Sequence, residues 1–129
     1  MGAITELHWV NNFSSSVVTV RNRENGFLRD CPIGTSTFID YQWVPWCGKG
    51  SDFPQRHIEI IVSGVVFNVW QDDDTDGNRV RLTPGGFTSS DIAPAFKPAP
   101  AFPGASFDGG DRNIQVAGGG ALSLVVTAP

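Results

Sequence analysis

The chain is predicted to be all-β: a single-domain antiparallel β-sandwich, jelly-roll-like, of about eight strands. Three observations predict it. Apolar residues alternate with period 2 in run after run, and no window shows the 3.6-residue period of an amphipathic helix. Fifteen glycines and nine prolines break 129 residues into short segments, the composition of a chain with many turns. A chain of this length is one domain and buries a core without needing a staple, so residues 1–129 are taken as one sandwich.

The elements follow in order. Residues 4–10 form a first strand, the Asn/Ser-rich run at 11–16 turns the chain, and residues 17–21 form a second strand. Asn25-Gly26 marks a tight turn and Pro32-Ile33-Gly34 a further break. Residues 35–44 alternate most clearly: Ile39, Tyr41 and Trp43 share one face and Asp40 and Gln42 the other, which assigns Trp43 to the core, as Trp9 is assigned. Pro45 ends that strand, and residues 46–55 read as loop. Residues 57–62, the two-residue turn Ser63-Gly64 and residues 65–71 make a hairpin. Both faces of its second strand are apolar, so that strand is central and Trp70 is core. Residues 78–83 return antiparallel. Residues 84–112 hold five prolines and four phenylalanines, Phe87, Phe96, Phe102 and Phe107, without a periodic pattern. Disordered segments are poor in aromatics, so this one is expected to lie extended across the sandwich with its rings tucked in. Residues 113–117, a glycine turn at 118–120 and residues 121–127 close the fold as a hairpin.

Charge narrows the function. Only 17% of residues are charged and the net charge is −4. Such a chain lacks the basic footprint of a nucleic-acid binder and the polybasic segment that anionic lipid attracts. Arg21/Arg23 and Arg79/Arg81 have strand spacing and read as solvated sheet faces. No apolar run reaches transmembrane length, and the first residues lack a signal-peptide pattern, so a cytoplasmic protein, or one released without a signal, is expected. Cys31 and Cys47 are the two cysteines. One bridge between them would close a loop of roughly 15 residues, worth about 3 kcal/mol; two buried thiols are the other arrangement, and both stay open.

Two constellations carry chemistry. Asp72-x-Asp74-x-Asp76-Gly77 has the first-half spacing of an EF-hand loop, in which alternate carboxylates converge on Ca2+ and the carbonyl of the next residue, here Asn78, adds a ligand. The bidentate Glu expected five positions later is Thr83, and strands rather than helices flank the run. A strand-to-strand calcium loop would need a further carboxylate from Asp52, Asp91, Asp108 or Asp111; the plainer alternative is a solvated acidic hairpin tip. Trp46 follows the strand-breaking Pro45 and is a candidate stacking platform for a sugar ring or a wedge into a membrane interface, or else a cover for one end of the sandwich. Catalysis has little support: no nucleophile is framed beside a base, and the His57/Glu59 pair on one strand face reads as a hydrogen bond. In length, acidity, tryptophan content and strand-only pattern the chain is similar to small sandwich lectins and to aegerolysins, which bind membrane lipid; no motif accompanies the likeness, so no residue role follows from it.

The expected function is a non-catalytic, lectin-like carbohydrate-binding module, calcium-assisted if the acidic loop is a metal site, with Trp46, Asp72, Asp74 and Asp76 at the ligand and Asn78 joining the three aspartates at the metal. A lipid-headgroup or membrane-interface binder, or a toxin component, is the first alternative. A structural or assembly domain, forming a homo-oligomer through residues 84–112, is the second.

Overall fold

The computed structural model describes residues 5–45, 56–74, 77–84, 102, 110–119 and 121–126. Among them are nine strands and no helix: β1 (Thr5–Asn12), β2 (Val18–Asn22), β3 (Leu28–Cys31), β4 (Ser36–Trp43), β5 (Ile58–Val62), β6 (Val65–Asp74), β7 (Gly77–Pro84), β8 (Gly110–Val116) and β9 (Leu122–Val126). They form two sheets, one ordered β4-β1-β8-β9 and the other β3-β2-β5-β6-β7. The sandwich is the expected fold. The strand not anticipated is β3, four residues with the pattern of neither a core strand nor a turn, which pairs antiparallel with β2 at the edge of its sheet.

Six of the seven strand pairings among the described residues are antiparallel; β1 and β8 run parallel, from Thr5↔Gly110 to Asn12↔Val116. Parallel neighbours need a long crossover, and nearly a hundred residues separate these two. Between the sheets lies one apolar cluster. Leu7, Val10, Ile39, Ile114, Val116 and Leu124 come from the four-stranded sheet, and Val18, Val20, Ile58, Ile60, Val69 and Val80 from the five-stranded one. In β2 and β5 these positions alternate strictly with half-buried ones, the signature of a strand with one face in the core. Phe102 is buried in the same cluster and its N–H donates to the Val80 carbonyl at 2.7 Å, which adds a bond to the outer side of edge strand β7. Of the phenylalanines expected to tuck in, Phe102 does so; Phe87, Phe96 and Phe107 lie outside the described residues.

A polar seam closes one end of the core. Gln42 lies at its centre: its Oε1 accepts from Asn22 Nδ2 at 3.0 Å and Asn25 Nδ2 at 3.2 Å, and its Nε2 donates to the Ile39 carbonyl at 2.7 Å. Gln71 Nε2 donates to the Val44 carbonyl at 2.9 Å. Asn22, Gln42 and Gln71 are all buried, so these bonds both satisfy the amides and tie the two sheets together.

Two assignments from alternation fail, and one feature explains both. Trp9 is 41% and Trp43 58% exposed, and Tyr41 is 55% exposed. Leu7 pairs with Gln42 and Trp9 with Phe38, so one residue of β1 faces three of β4. This double bulge is made by Asp40 and Tyr41, both left-handed, at φ 60° and 57°. It shifts the parity of β4: Ile39 and Gln42 point inward, while Tyr41 and Trp43 point out. β1 also carries an extra residue against β8, where Leu7↔Arg112 is followed by Val10↔Ile114, and that turns Trp9 outward.

Candidate functional site

The outward face of β1 and β4 carries a continuous row of side chains. Trp43 Nε1 donates to Glu6 Oε2. Glu6 Oε1 lies 2.9 Å from His8 Nε2, and Asp111 Oδ1 is 3.5 Å from the same nitrogen. The His8 ring meets Tyr41 edge-on at 4.5 Å between centroids, Tyr41 meets Phe38 edge-on at 4.8 Å, and Phe38 meets Trp9 at 5.2 Å. The row thus runs Trp43, Glu6, His8, Tyr41, Phe38, Trp9, along the open edge of the sheet, because β4 is its outermost strand. Edge-to-face pairing suits the aromatic quadrupole and holds each ring in place.

The bulge that builds this row is itself supported. A left-handed Tyr is costly, on the order of 1–3 kcal/mol, and persists only where its surroundings overdetermine it. Arg29, from β3 of the other sheet, supplies part of the support. Its guanidinium donates to both carboxylate oxygens of Asp40, at 3.0 and 3.1 Å, and to the Phe38 carbonyl at 2.8 Å. The same group lies 4.9 Å from the centre of the Phe27 ring. Gln42 holds the inner side through the Ile39 carbonyl.

Chemically the row offers ring surface and acceptors. Glu6, His8 and Asp111 each present a ligand atom within 4.8 Å of the others, a spacing that would also suit a cation. Asn113 lies between them and β9 in the same sheet, and its Oδ1 is a buried acceptor without a hydrogen-bond partner among the described residues. Two guanidiniums lie near the row: Arg29 is paired with Asp40, and Arg112 donates to the Asp111 carbonyl at 2.9 Å.

Of the residues expected at the site from sequence, three are described, and they belong to the five-stranded sheet. Trp46, Cys47 and Asp76 are outside the described residues. Asp72 and Asp74 belong to β6 and Asn78 to β7, with backbone registers Asp72↔Arg79, Asp73↔Asn78 and Asp74↔Gly77. Over its described residues the acidic run is therefore strand ladder. The signal that could have found the actual row was present: three aromatics and a histidine within residues 8–9 and 41–43. Strict alternation hid it by assigning the tryptophans inward.

The outward face of the five-stranded sheet is different in kind. Arg23 Nε lies 3.3 Å from Glu59 Oε1, and His57 Nε2 lies 3.3 Å from Glu59 Oε2, the hydrogen bond expected of that pair. His57, Asn68 and Trp70 are buried on this face, and Trp70 stands in the second-from-edge strand β6, cross-strand from Arg81. Cys31 is a free, buried thiol whose pKa burial pushes up to about 11; a hydrogen bond with Thr37 opposes the shift, so it is a poor nucleophile at neutral pH. Among the described residues no helix is long and apolar enough to cross a membrane. No protein-family model matches the chain, and no curated protein or solved structure matches it.

Proposed function

We propose that this protein is a non-catalytic, lectin-like carbohydrate-binding module whose ligand lies along the β1/β4 face. The observation that supports this most directly is the exposure of Trp9, Tyr41 and Trp43 in one row with Glu6, His8 and Asp111. A pyranose has an apolar face of C–H groups and a rim of hydroxyls. Exposed rings take the first, and carboxylates, which only accept hydrogen bonds, take the second. The ordered rings lose little entropy when a ligand arrives. Glu6 and Asp111 select neutral or cationic sugars over uronates and other anionic ones. Calcium assistance through Asp72, Asp74, Asp76 and the Asn78 carbonyl belongs to the same proposal.

The test is a titration of tryptophan emission with neutral oligosaccharides, repeated with Trp43→Ala and in chelator. A saturable change that Trp43→Ala weakens at least tenfold is the expected result. An emission unmoved by any neutral sugar at millimolar concentration would sink the proposal. Binding that survives chelator unchanged would remove calcium from it.

A further inference from the structure

The strands place four loops at one end of the sandwich: residues 13–17, 32–35, 63–64 and 117–121. These sixteen residues contain no Asp, Glu, Lys, Arg or His. Moving from that end into the strands, the first charged or His residues met are Asp30 in β3, Arg21 in β2, Glu59 in β5, Arg81 in β7, Arg112 in β8, Asp40 in β4, His8 in β1 and Asp72 in β6. The end is also tipped with apolar side chains: Phe13 is 62% exposed, Ile33 54%, Val17 49% and Val65 46%. Among the described residues, loops without charge that expose Phe, Ile and Val make a surface that pays little on leaving water.

We propose that this loop end docks into the interface of a zwitterionic lipid bilayer, independently of the sugar face. Three features favour a lipid surface over a second copy of the chain. Four half-exposed side chains, two on one loop, one on a second and one at the start of β6, offer roughly a few hundred Å2, short of the about 800 Å2 per partner of a stable protein interface. Several of the loops' backbone groups are engaged internally. Phe13 N–H donates to the Val116 carbonyl and Gly34 N–H to the Asn12 carbonyl, both at 2.9 Å. Buried Asn12 donates from Nδ2 to the carbonyls of Ser16 at 2.8 Å and Cys31 at 3.0 Å. Backbone already satisfied need not be stripped of water when the tip enters. Finally, the absence of cations fits a neutral headgroup layer, and the net charge of −4 disfavours an anionic one.

The experiment is co-sedimentation with phosphatidylcholine vesicles, using the whole chain, Phe13→Ser/Ile33→Ser, and Trp43→Ala. The wild type is expected to partition onto the vesicles, with 1 M NaCl leaving the bound fraction unchanged. The double variant should lose at least tenfold in partition while melting within a few degrees of wild type. Should it melt lower, Ile33→Ser alone, at an exposed loop position, serves instead. Trp43→Ala and added saccharide should leave partition unchanged, which separates this surface from the sugar row. A wild type that stays in the supernatant at millimolar lipid overturns the proposal, as does a loop variant that partitions equally. So does a concentration-dependent dimer by light scattering that the double variant abolishes without any lipid binding. Stronger binding to phosphatidylserine vesicles, released by salt, would also overturn it.

Discussion

The two outward faces of the sandwich solve the same problem in opposite ways. On the five-stranded sheet the large ring, Trp70, is fully buried, and the charged groups pair with one another: Arg23 with Glu59, and Glu59 with His57. On the four-stranded sheet the rings are left in water and the charges are set beside them. The first arrangement is what a stable surface looks like. The second keeps three large rings from burial that would stabilise the fold, and sustains two left-handed non-glycine residues to do so. The cost is concentrated where the exposed aromatics are, and strain of that kind is a pointer to function.

The comparison breaks first at its supports. Gln42→Ala removes the acceptor of Asn22 and Asn25 and the donor to Ile39 in the buried seam. It should destabilise by about 3 kcal/mol, lowering the melting midpoint by on the order of 10 °C for this length, and loosen the bulge with it. Next in size, Trp43→Ala should cost ligand affinity about tenfold to a hundredfold, roughly 1–3 kcal/mol, with little change in the melt, because the ring is exposed. Ile61→Ala, half-buried on the opposite sheet, should leave affinity untouched; an equal loss there would mean the two faces do not differ as described. Tyr41→Gly sharpens the contrast. Glycine adopts the left-handed conformation without strain, so the variant should gain up to about 1 kcal/mol in stability while binding sugar more weakly. A Tyr41→Gly chain that melts lower would show that the tyrosine's ring contacts outweigh its backbone strain.

Cys31 gives a smaller, pH-dependent effect. Burial pushes its folded pKa up to about 11, from the ordinary thiol value of 9.0. A thiol that ionises later when folded favours the folded state fully below pH 9 and less as pH rises toward 11, because the unfolded chain sheds its proton first. The midpoint should therefore fall between pH 9 and 11, and part of that fall should vanish in Cys31→Ala. The smallest effect belongs to the paired face: Arg23→Gln removes a half-exposed ion pair and should cost under about 1 kcal/mol, less at high salt.

Much of this was legible in the chain. Period-2 patterning, the turn residues and the low charge determined an all-β sandwich, eight of the nine described strands, the interior rather than edge place of β6 and the pairing of His57 with Glu59, because each depends on neighbours in sequence. The core positions of β2 and β5 follow from alternation alone. Only the tertiary structure decided where the aromatic row lies. A bulge in β4 depends on Arg29 from β3 and Gln42 from within the core, residues whose proximity no local pattern records, and a shift of parity reverses which side chains meet water. Trp43 and Tyr41 thereby move from core to surface with no change in the sequence that spells them. The uncharged end is of the same kind: four loops far apart in the chain share one property only after the strands have brought them side by side.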